Sequence, residues 1–98
     1  MTVSLLYFFE PEFNYELLPL VAAIGINRLL KQYRILNLIK WPNDIYLLDN
    51  SKIAGILLES GIRGDKRFVV MGIGLDNPTN IDRSILLSNL INHMDHVV

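Results

Sequence analysis

The chain has 98 residues, and its nine Lys/Arg against ten Asp/Glu leave a net charge of −1, which argues against a nucleic-acid groove because such surfaces show a basic excess. Apolar residues make up 51% and charged residues 19%, so the chain has the composition of one small domain with a core rather than a disordered segment. It contains no cysteine, which excludes a disulfide framework and a thiolate zinc site and fits a reducing, cytoplasmic setting.

The first apolar segment, Val3–Phe9, lacks clean alternation and reads as a strand covered on both faces. No basic residue precedes it and Glu10-Pro11-Glu12 follows, a pattern unlike a secretory signal. From Glu16 to Tyr33 the apolar positions Leu17, Leu18, Val21, Ile24, Leu29 and Leu30 follow helical spacing, with Arg28 and Lys31 near the far end. Pro19 belongs in the first turn of that helix, and Gly25 in its interior implies close packing against a neighbour. The longest apolar stretch, Leu17 to Ile26, is far short of the ~20 residues that span a membrane.

Ile35–Lys40 reads as a short strand ended by Trp41-Pro42. Ile45–Leu48 and Lys52–Glu59 flank Asp49-Asn50-Ser51, a compact hairpin turn. Gly61–Asp65 makes a second turn into the strand Arg67–Leu75. After the loop Asp76-Asn77-Pro78-Thr79-Asn80, Asp82 caps a last amphipathic helix that runs to about residue 96 and uses Ile85, Leu86, Leu90 and Ile91. The pattern is α+β in the order β-α-β-β-β-α, a mainly antiparallel sheet with helices on one face. Residues 1–98 form one unit without repeats or linkers.

Three blocks carry the chemistry. Lys40-Trp41-Pro42-Asn43-Asp44 sets a cation, an aromatic, a turn residue, an amide and an acid in five positions; Lys52-Ile53-Ala54-Gly55-Ile56-Leu57-Leu58-Glu59 follows, and Gly72-Ile73-Gly74 ends the next strand. If the two middle strands pair, Asp44 and Lys52 meet near one end of the sheet. The lysine suits a carboxylate or phosphate oxygen, and the aspartate can orient an amine or take its proton. Ala54, Gly55, Gly72 and Gly74 would let a flat ligand reach the strand backbone. His93 and His96 stand three apart with no further His or Cys, so no metal site is expected, and Trp41 reads as a packing residue.

These blocks, in this order and spacing, resemble the central signature of the biotin–protein ligase family over about residues 3–75. The resemblance implies a partial catalytic domain that activates biotin with ATP to biotinyl-5′-adenylate and passes biotin to a lysine of a biotin-carrier protein domain. It implies that Lys52 holds the biotin carboxylate and the α-phosphate, that Asp44 aids the incoming lysine, and that Lys40 and Asn43 line the nucleotide side. Gly55 and Ile56 would meet the biotin rings, Gly72 and Gly74 would line the pocket, and Mg²⁺ would bridge phosphates. A homodimer through the sheet is compatible with the resemblance, while the charge balance and the short apolar stretches speak for no nucleic-acid and no membrane partner. Two features depart from the family: no glycine/arginine-rich loop precedes the first strand, and Asp76 follows Leu75 where an asparagine is usual, Asn77 coming one place late. The chain therefore reads as the middle of a ligase that is not expected to act alone. The alternatives are a non-catalytic interaction module and a lipoate-type relative.

Overall fold

The computed structural model describes residues 1–98 apart from 11, 13, 77, 78, 97 and 98. Among the described residues five strands and two α-helices follow in the order β1 (Thr2–Phe9), α1 (Leu18–Gln32), β2 (Asn37–Lys40), β3 (Asp44–Leu47), β4 (Lys52–Arg63), β5 (Lys66–Leu75) and α2 (Arg83–Asp95). The strands form one antiparallel sheet in the order β1-β5-β4-β3-β2. The expected α+β class holds and each of the five strand segments read from the sequence forms a strand; four of them follow α1, so the order β-α-β-β-β-α is one strand short.

Both helices cover the same face of the sheet. Ala22, Ala23, Ile26, Leu29 and Leu30 of α1 and Leu86, Leu90 and Met94 of α2 meet Ile45, Ile53, Ile56, Met71, Ile73 and Leu75 in one core. Gly25 lies where the helices touch, since a Cβ there would come within 2.6 Å of Met94 Cγ. Pro19 sits in the first turn of α1, which is preceded by one turn of 3-10 helix at Tyr15–Leu17. The helix ends on Arg34 at φ 62°, where Ile35 N–H donates to Leu30 O and Arg34 N–H to Lys31 O, the paired bonds of a Schellman cap. Buried Asn37 ties this end to β2, accepting from Asn27 Nδ2 at 2.8 Å and donating to Ile35 O.

Among the described residues no helix lies on the outer face of the sheet, and two expectations are corrected. β1 is not covered on both faces: Val3, Leu5 and Tyr7 face the helices, whereas Ser4, Leu6 and Phe8 are exposed. It is an edge strand on a one-sided sheet, and its apolar residues fall on both sides of the pleat. In α2 the buried side is Leu86, Leu90 and Met94, while Ile85 and Ile91 are exposed. A single helix docked on α1 buries a narrow stripe, and the 4-residue spacing from Leu86 selects it.

The turns follow local chemistry. Asp49 accepts from Ser51 N–H and Ser51 Oγ, and Asn50 takes the left-handed φ of 73° that asparagine tolerates. β4 runs beyond the expected Glu59 to Arg63, and the reversal is confined to Gly64-Asp65, with Gly64 at φ 64°. Asp82 caps α2 by accepting from Ser84 N–H at 2.9 Å.

Candidate functional site

The exposed face of the sheet carries a groove of about 570 Å³ at the end where β3, β4 and β5 meet. Its floor is backbone. Gly55 pairs with Asp44 on one side and Gly74 on the other, and Gly72 pairs with Leu57. A Cβ on Gly72 or Gly74 would meet nothing within 4 Å, so these glycines do not serve packing. They leave the surface open at the centre of the sheet. Exposed Leu57 forms one wall and Thr2 of β1 part of the rim.

Lys52 and Asp44 stand together in this groove, with Lys52 Nζ 3.2 Å from Asp44 Oδ1. Strict alternation along β4 would not allow it. Gly55 and Leu57 face the groove, and counting back by twos points Ile53 outward and Lys52 into the core. The pairing with β3 shifts instead: Ile45 opposes Ala54, but Tyr46 opposes Lys52, which leaves Ile53 as an extra residue. This is a β-bulge, a device that re-aims a side chain. Ile53 and Ala54 are both buried, at 4% and 3% exposure, and Lys52 turns to the open face. The lysine then lies flat across β4: its Cε and Nζ are each 3.3 Å from where a Gly55 Cβ would stand, and Asp44 Oδ1 is 3.6 Å from the same point. Gly55 is the space through which the cation reaches the acid.

Asn43 holds the other member of the pair in place. Ile56 N–H donates to Asn43 O at 3.0 Å, and Asn43 Nδ2 donates to Ile56 O at 2.9 Å. This two-bond clamp fixes the Trp41–Asn43 turn, which contains a cis Trp41–Pro42 peptide, against β4. Asp44 enters the groove from a pinned backbone.

Of the residues singled out in the sequence, Asn43, Asp44, Lys52, Gly55, Ile56, Gly72 and Gly74 all line this one groove. Ile56 does so through its backbone edge, its side chain being buried. Lys40 stands apart. It is paired with Asp44 across the β2–β3 hairpin, but its ammonium lies 4.9 Å from the centre of the Tyr46 ring, a cation–π contact. Trp41 is not a packing residue: it is 70% exposed and borders a hollow of about 250 Å³ with Glu16, Pro19, Leu20 and Leu58. Thr2, Leu57 and Ile73 also line the groove without having been singled out; Leu57 and Ile73 lie inside the motif blocks, whereas Thr2 has no local signal. The bulge had one, the polar-apolar-apolar-glycine run of Lys52-Ile53-Ala54-Gly55.

A second hollow of about 240 Å³ continues the groove past the strand ends, between Lys52, Gly74 and Asp76. Asp76 N–H donates to Ile53 O at 2.9 Å, so that acid is fixed beside the bulge. Asn77 lies outside the described residues. Among the described residues no group of three His, Cys, Asp or Glu forms a cage for a metal ion. Among the described residues no helix is long and apolar enough to cross a membrane.

Residues 1–76 match the profile of the Biotin/lipoate A/B protein ligase family. Over 72 residues the chain is 39% identical to the human biotin–protein ligase, covering 72% of this chain and 10% of that protein. Over 39 residues it is 54% identical to the bifunctional ligase/repressor BirA of Salmonella typhimurium, covering 39% of this chain and 12% of the relative. The fold superposes on the biotin protein ligase of Aquifex aeolicus in complex with biotin and ATP, with a TM-score of 0.68 and 24% identity over 97% of this chain and 49% of that one. The chain thus spans about a tenth of these two curated relatives and about half of the solved structure.

Proposed function

The chain belongs to the biotin/lipoate A/B protein ligase family, and we propose that it carries the core of a site at which biotin is joined to AMP and then passed to a lysine of a biotin-carrier protein. The observation that supports this most directly is the Lys52–Asp44 pair at 3.2 Å over a floor of glycine backbone. In the first step a biotin carboxylate oxygen attacks the α-phosphorus of ATP and pyrophosphate leaves. The groove brings two anions together there, and Lys52, the one cation among the described residues that line it, offsets their charge as it shifts onto the leaving oxygen. The flat ring system would lie on Gly55, Gly72 and Gly74, where no side chain intervenes.

In the second step the amine of the carrier lysine attacks the acyl carbon, and Asp44 is the carboxylate placed to orient it and take its proton. Mg²⁺ would enter with the phosphates of ATP, and Asp76, in the hollow that continues the groove past Lys52, would be the carboxylate to hold it. Asn43, clamped to β4, serves by fixing Asp44, and Lys40 lies toward the nucleotide side of the turn.

Calorimetric titration of the folded chain with a non-hydrolysable biotinyl-adenylate mimic tests this reading. Binding at micromolar concentration or tighter that is lost in Lys52→Ala is the expected result. Silence from a folded protein would overturn it. Competition by a lipoyl-adenylate mimic distinguishes a lipoate-type site, which would prefer the single dithiolane ring to the fused rings of biotin.

A second reading, an interaction or dimerisation module, draws on the outer face, where Leu6, Phe8 and Leu57 are each more than half exposed, and on the position of β1 and β2 at the two ends of the sheet. It expects mass to rise with protein concentration in sedimentation, with or without the mimic.

A further inference from the structure

We infer that the Lys52–Asp44 pair is a charge lock: an acyl-phosphate ligand that draws Lys52 away raises the availability of Asp44 to the acceptor amine. The inference rests on the ligase reading above and adds an order of events to it. Without ligand the two charges face one another at 3.2 Å, with the lysine laid across Gly55 onto the carboxylate. Lys52 is half exposed, its side chain 52% accessible, so the contact is weak and opens at small cost. Its flexible stem and three donors let the ammonium turn to a new oxygen without moving the backbone.

An anion entering the groove has little else to turn to. Lys52 is the one cation among the described lining residues, and Lys40 is held over the Tyr46 ring. A carboxylate or phosphate oxygen therefore competes with Asp44 for the same ammonium. Before it arrives, the carboxylate of Asp44 is engaged and its charge offset. Afterwards Asp44 is still fixed by the Asn43–Ile56 clamp and faces the groove with its lone pairs released.

The transfer then balances. The neutral amine nitrogen forms a bond to the acyl carbon, the bond from that carbon to the phosphate oxygen breaks, and the nucleoside monophosphate leaves with the electron pair. The proton shed by the nitrogen passes to Asp44. An amine that arrives before the acyl phosphate meets a neutralised pair.

Titration of the wild-type chain and Asp44→Asn with the non-hydrolysable biotinyl-adenylate mimic separates this from a plain binding role. Removing a competitor for Lys52 should tighten binding about two- to five-fold, the range for an exposed ion pair. Equal or weaker binding by Asp44→Asn would overturn the lock while leaving the ligase reading intact, whereas no binding by the folded wild type would overturn both. A second measurement does not depend on the Asn variant folding. The ¹³Cγ resonance of Asp44 in the wild type should move, on adding the mimic, toward its position in ligand-free Lys52→Met. A resonance that stays in place while the mimic binds would refute the lock.

Discussion

Gly72→Val should raise the stability of this protein and abolish its adenylate binding together. Glycine in a strand costs roughly 0.5–1 kcal/mol relative to alanine through backbone entropy, and β-branched residues gain further on a pleated surface. A Cβ on Gly72 meets nothing within 4 Å, so no overpacking opposes these gains. Its cross-strand neighbours are Ser4 on β1 and Leu57 on β4, and the valine methyls would add contact with exposed Leu57. The sum is a gain of about 1 kcal/mol, which in a domain of this size raises Tm by roughly 4–8 °C. The same methyls stand on the floor of the 570 Å³ groove, where a ligand lying on the sheet would collide with them. Thermal unfolding followed by circular dichroism, with calorimetric titration of the mimic, reads both effects. A lower Tm would refute the argument, since it would mean that Gly72 is pressed by packing. Undiminished binding would refute the placement of the ligand on the glycine floor.

Gly25→Ala should behave oppositely to Gly72→Val. The helix gains about 1 kcal/mol in propensity, but the new methyl lies 2.6 Å from Met94 Cγ and 3.4 Å from Met94 N, so the Met94 side chain or α2 must shift, and overpacking costs about 1–3 kcal/mol; urea unfolding should show a net loss of about 1 kcal/mol. Lys40→Met should leave affinity for the mimic within about three-fold, because its charge is spent on Tyr46, whereas Lys52→Met should weaken binding more than ten-fold by the same titration. Asp82 gives α2 a pH dependence. The Ser84 hydroxyl, then the Ser84 amide, hold its carboxyl below the ordinary value, so the unfolded chain binds this proton more readily. The capping contribution is therefore complete above the unfolded carboxylate range and is lost as pH falls through the depressed folded value. Far-UV circular dichroism on acidification should show an acid-sensitive loss of helix that Asp82→Asn, which keeps the cap without titrating, reduces.

A good part of this molecule was legible in its residues because the signals are local. Helical spacing in α1, with Pro19 confined to its first turn, needs only neighbouring residues, and so do the Asp49-Asn50-Ser51 turn and the Asp82 cap. Gly25 announced a close contact because a glycine inside a helix is otherwise a loss, and Met94 is that contact. Seven residues singled out within the three motif blocks line one groove, since strand pairing brings such blocks together once the hairpin between them is recognised.

What the sequence could not settle depended on which surfaces meet. The apolar run of β1 reads as buried on both sides, but helices cover one face, so Leu6 and Phe8 stand in the open. In α2 the isoleucines at 85 and 91 compete with Leu86, Leu90 and Met94 for the inside, and only the position of α1 decides between them. The motif blocks favour Lys52 over Lys40 as the anion's partner, and the structure separates them further, Lys40 lying over Tyr46 and Lys52 beside Asp44. The pair itself exists through a single extra residue. Ile53 and Ala54 are both apolar enough to be buried, β3 is paired so that both are, and Lys52 is turned out of the core onto the face where Asp44 waits. Residue types supplied the two charges; the register of a neighbouring strand put them on the same side of the sheet.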